Sequence, residues 1–181
     1  MKSGFFAIAG ATAALAFAHA AASAASLPVN ISGYELFAGV PCMPHGQSGT
    51  CDAEFGGWTG GKGPTAGGWT RFPGTRQGLW RAGVNYVGRP QFGGQVTVVG
   101  GNIDLLFTDG TVVSGNVTAG TVEWPEEGQA TVCGTDVGAV SLSIAFTHGA
   151  AGSGSFHGCL HDLPAGAVIP PKVWGRFQTG P

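Results

Sequence analysis

The chain reads as a single all-β domain, an antiparallel β-sandwich or β-barrel of about eight strands with a long Gly-rich loop region. Three observations predict this. Charged residues make up only 10% of the 181 residues while glycine supplies 34, a composition of short strands and tight turns. Val140, Leu142, Ile144 and Phe146 alternate with Ser141, Ser143 and Ala145, which places one apolar set on one face of a strand. Gly100-Gly101 and Asp109-Gly110 are the dipeptides that two-residue hairpin turns demand. No amphipathic helical stretch is evident after the N-terminal segment.

The N-terminus carries Met1-Lys2, an apolar run from Phe5 to Phe17, and small residues through Ala24. This is the pattern of a secretory signal peptide, expected over 1–24, with 25–181 as the mature domain. Cleavage leaves roughly 155 residues, which suits one domain. No later stretch is long enough to span a membrane as a helix. The expected location is secreted, either periplasmic or extracellular. In that oxidising setting the four cysteines form two disulfides, in any of three pairings. Cys42–Cys51 and Cys133–Cys159 are favoured. The second pair would close a loop of about 27 residues and contribute roughly 3.5 kcal/mol by the chain-entropy relation.

The mature chain begins with a strand over 29–37, interrupted by Gly33. Residues 39–78 show little period and are expected to be a Gly/Trp-rich loop. The antiparallel core is expected over 92–161. There, turns at Gly100-Gly101 and Asp109-Gly110 would pair Val98 with Ile103, Val96 with Leu105, and Phe107 with Val112. Ala119-Gly120 is a candidate third turn. Phe156 and Leu160 would join the face of Val140, Leu142, Ile144 and Phe146 across a hairpin. Prolines at 164, 170 and 171 exclude a central strand there, and Val173 to Gln178 reads as a final edge strand.

Function is read from a few features. The net charge is −2 and the basic residues are scattered, which argues against nucleic acid and anionic membranes. Trp58, Trp69 and Trp80 recur every eleventh residue, the first two each preceded by Gly-Gly and followed by Thr. Flat indoles beside glycines can receive the apolar face of a sugar ring. The leading expectation is therefore a secreted, non-catalytic module binding a polysaccharide or cell-surface glycan. Trp58, Trp69, Trp80, Asp52 and Glu54 are its candidate ligand contacts.

Asp52 and Glu54 could alternatively serve as a hydrolase acid and base, which requires a through-space separation that spacing does not reveal. A structural or protein-interaction domain with tryptophans in the core is another alternative. A copper oxidase is a further one, through His19 if cleavage followed Ala18. His157, Cys159 and His161 share a strand face, and Met43 and His45 lie near Cys42, but disulfide formation would remove the thiolate ligands. No catalytic residue, metal or cofactor is expected, and the oligomeric state is not encoded in any visible motif.

Overall fold

In the computed structural model the described residues are 29–38, 51–60, 62–65, 68–71, 76–161 and 171–179. The expected signal at 1–24, His19, and the segments 39–50 and 162–170 lie outside them. The described residues form twelve strands and no helix. These are β1 (Val29–Ala38), β2 (Ala53–Thr59), β3 (Lys62–Thr65), β4 (Gly68–Arg71), β5 (Gly78–Val87) and β6 (Gln95–Phe107). They continue as β7 (Val112–Glu123), β8 (Ala130–Thr131), β9 (Gly134–Thr135), β10 (Gly138–His148), β11 (Ser153–His161) and β12 (Lys172–Thr179).

Eight of them close an antiparallel barrel in the order β1-β12-β11-β10-β7-β6-β5-β2, with β2 pairing back to β1. Each barrel strand therefore lies beside its neighbours in sequence, an up-and-down path, and the two short hairpins β3-β4 and β8-β9 are insertions. The buried apolar residues face inward, and outward positions carry Ser32, Arg81, Thr97, Asp104, Ser141 and Arg176 together with the exposed Trp58, Leu79, Val99 and Leu106.

The alternation at 140–146 and the hairpin to Phe156 hold: Phe156 pairs with Leu142, and Leu160 with Gly138. The Gly100-Gly101 turn does not form. β6 runs straight through it, and Val98 lies opposite Tyr86 and Gly120 instead of Ile103. The bulge lies just before the dipeptide, at Val99, which is skipped between the pairs Asn85–Gly100 and Tyr86–Val98, and Gly101 next to it takes φ 150°, where any Cβ would run into the Gly83 carbonyl. One extra residue shifts the phase of the strand. Val96 and Val98 before it, and Ile103, Leu105 and Phe107 after it, thus all face the interior as a hairpin would also have required. Ala119-Gly120 likewise lies within the continuous β7. The Asp109-Gly110 turn forms, but one residue longer than expected: the Phe107 N–H bonds the Thr111 carbonyl at 2.9 Å. Val113 therefore takes the buried place expected of Val112, which pairs with Leu106 on the outside.

The 39–78 stretch also differs. It contains β2, an integral barrel strand, and the β3-β4 hairpin. Its alternation is hidden because glycines occupy inward and outward positions alike. On the neighbouring β1, a Cβ at Gly33 would run into the Gly56 carbonyl and come 2.9 Å from Trp80 Cζ2, so the missing side chain lets β2 approach and makes room for the indole. β12 is not an edge: it pairs with both β1 and β11 and completes the closure.

The barrel has two unlike ends. At the first, β6-β7 and β10-β11 are joined by short turns, and β2-β5 by the segment holding β3-β4. Arg76 seals this end, with its guanidinium 4.3 Å above the Phe107 ring and bonded to Thr111 Oγ1 at 2.7 Å and to Asp109. At the second end the longer connections gather, including 88–94 and 124–137. There Cys133–Cys159 ties the β8-β9 hairpin to β11. Cys51 is also disulfide-bonded; Cys42, its expected partner, lies outside the described residues.

Candidate functional site

The outer wall of β12, β1, β2, β5 and β6 brings together side chains far apart in sequence. Register alone fixes one row. Trp174 pairs with Ser32, Ser32 with Trp58, Trp58 with Leu79, and Leu79 with Leu106. Trp58 is 56% exposed, Leu79 54% and Leu106 49%. Trp174 is half-buried, with the Lys172 ammonium 5.7 Å from its ring centre. The two indole-bearing strands are two spacings apart, about 10 Å.

A second row runs beside the first. Lys172 pairs with Tyr34, Tyr34 with Gly56, Gly56 with Arg81, and Arg81 with Asp104. Gly56 leaves a gap in this row, overhung by Leu36. Tyr34, Leu36, Trp58, Leu79, Arg81, Asp104 and Leu106 line the resulting shallow groove, one side aromatic and aliphatic, the other polar. Burial lowers the pKa of the Lys172 ammonium.

The candidate residues separate. Trp58 is on this wall. Trp80, 5% exposed, faces the barrel interior and donates its indole N–H to the Ser32 carbonyl at 3.0 Å. Trp69 sits in β4 opposite Pro64, and its side chain lies outside the described residues. Three tryptophans at equal sequence spacing thus do not share one face: positions 58 and 80 lie on different strands with opposite inward-outward phase.

Asp52 is exposed and accepts the Tyr86 N–H at 2.9 Å, fixing the end of β5. Glu54 is 1% exposed and paired with Arg81. Each carboxylate thus has a structural partner. Glu54 bears on the groove through Arg81, whose side chain stays 42% exposed. The sequence reading missed Tyr34, Arg81, Asp104 and Trp174. Alternation places each opposite an inward-facing neighbour, but only the strand order makes them a group.

His157, Cys159 and His161 do share the outer face of β11. Cys159 is consumed by its disulfide, and His161 faces Lys172 across the ladder. Among the described residues no group of three or more His, Cys, Asp and Glu is placed to hold a metal. Ser141 Oγ lies 3.4 Å from His157 Nδ1, and the ladder neighbours of this pair, Thr121 and Arg176, are not carboxylates. Comparison with protein-family models, curated proteins and solved structures returns no match.

Proposed function

We propose that the chain is a secreted, non-catalytic binding module for a polysaccharide or cell-surface glycan, and that the ligand lies across the outer wall. One observation carries this: an exposed indole, Trp58, in register with a second, Trp174, across Ser32. The separation of about 10 Å matches a disaccharide repeat laid across the strands. Sugar rings offer C–H faces to indoles and hydroxyls to polar groups. Here Tyr34, Arg81, Asp104 and Lys172 supply donors and acceptors alongside. Rigid strands hold all of them without a loop having to close. The formed disulfide and the signal-like N-terminus support an extracellular location.

The test is depletion of the purified mature protein from solution by a panel of insoluble polysaccharides. Wild type should be depleted by at least one of them. Trp58→Ala and Trp174→Ala should each weaken binding about tenfold, as loss of a stacked aromatic contact does. Retention of full binding by both folded variants would sink the proposal.

The aliphatic row Leu79–Leu106 favours a second reading, a protein-docking face, because contiguous exposed apolar surface marks interaction sites. Leu106→Ser separates the two: it should weaken glycan depletion far less than Trp58→Ala does and should abolish a protein contact.

A further inference from the structure

The barrel interior is filled unevenly. Toward the Arg76 end, Val29, Leu105, Phe107, Val113, Ile144 and Phe177 are all between 0% and 2% exposed. Toward the other end the inward positions of β2 and β5 include Ala53 and Ala82 among Phe55, Val84 and Tyr86, and those of β6 carry Val96 and Val98. The small side chains among these leave a cavity of about 100 Å³, floored by Trp80 and Phe156. Ala53, Ala82, Val84, Val140, Leu160 and Val173 around it keep 6–8% exposure, against 0–2% at the Arg76 end.

We infer that this cavity is a second binding site, distinct from the outer wall, for a small uncharged apolar molecule about the size of one aromatic ring. Chemistry and size each narrow the class. The lining is almost entirely carbon, and the Trp80 N–H is already committed to Ser32. A polar guest would lose its bonds to water without replacement. Apolar cavities of this order stay dry, and one of roughly 150 Å³ takes up benzene or xenon. Long-chain lipids are excluded, since sites for drug-sized ligands begin at about 300 Å³. Glu35 and Tyr86 stand at the cavity's polar margin, near the second end.

The experiment titrates the full mature protein with toluene and follows tryptophan fluorescence, to which Trp80 and Trp124 in the cavity wall contribute, with thermal unfolding in parallel. Saturable binding and a raised unfolding midpoint are expected for wild type, and palmitate should produce neither. Ala82→Leu, which fills the cavity, should lower toluene affinity about tenfold or more. Trp58→Ala, on the outer wall, should leave toluene affinity unchanged, so this site and the glycan wall fail or survive independently. Should Ala82→Leu not fold, Leu142→Ala serves instead: it enlarges the cavity and should admit naphthalene, which wild type excludes. No saturable toluene binding by wild type overturns the inference. So does unchanged affinity in folded Ala82→Leu, or no gain of naphthalene binding in Leu142→Ala.

Discussion

The two ends of the barrel reach the same closure by different physics. The Arg76 end is held by side-chain packing: Phe107, Ile144 and Phe177 fill the space between the walls, and Arg76 lies across Phe107 as a lid. The opposite end has Ala53 and Ala82 among its inward residues, a cavity that Trp124 and Phe55 line but do not fill, longer connections outside, and covalent links there. A barrel of eight strands is just wide enough for side chains to fill it or for one small guest to fit. Side-chain volume therefore decides, level by level, whether the interior is core or site.

Four tests would break or sharpen that contrast. The largest effect should come from Phe107→Ala. Removing a ring from the filled end should destabilise by about 3–5 kcal/mol in urea unfolding, because rigid neighbours cannot collapse into the space. A loss well under that would mean the end is not tightly packed. Next is the disulfide. Cys133→Ser with Cys159→Ser should destabilise by about 3 kcal/mol, and limited proteolysis should then cut first within 124–137.

The third pair has opposite signs. Ala82→Val adds carbon where there is room and should stabilise by about 0.5–1 kcal/mol. Val113→Leu adds carbon where there is none and should destabilise by about 1–3 kcal/mol. Equal effects would erase the distinction between the ends.

The smallest effect is electrostatic. The Arg76 guanidinium hydrogen-bonded to Asp109, helped by the Thr111 N–H, lowers the Asp109 pKa from 3.8 to about 2. A depressed carboxyl pKa means the folded state binds its proton less readily than the unfolded state. The resulting stability is present above 3.8 and is lost as pH falls toward about 2. Carbon-detected NMR should show Asp109 titrating in that low range, and Asp109→Asn should flatten the acid limb of the stability profile over that window.

Some of this was legible in the chain and some was not. Alternation at 140–146 and 156–160 predicted the inward set of β10 and β11 correctly, because each strand's own pleat fixes which side chains share a face. The hairpin expected at Gly100-Gly101 does not form, since a glycine pair also suits a continuous strand beside a bulge, here at Val99. Both uses put Val96, Val98, Ile103 and Leu105 inside, so the core residues were right while the connectivity was wrong. β2 stayed hidden because Gly56 and Gly57 removed the side chains that would have shown its period.

The sequence by itself determined the class: low charge, abundant glycine and period-two patterning exclude helices and demand an antiparallel all-β domain. Local chemistry reaches that far, since pleat and turn preferences act over a few residues. Which tryptophan is core and which is surface was decided only by the tertiary structure. Strand order sets Trp174 beside Trp58 across Ser32 while turning Trp80 inward. The cavity belongs to the same level, because it depends on side chains from separate strands failing to meet across a closed wall.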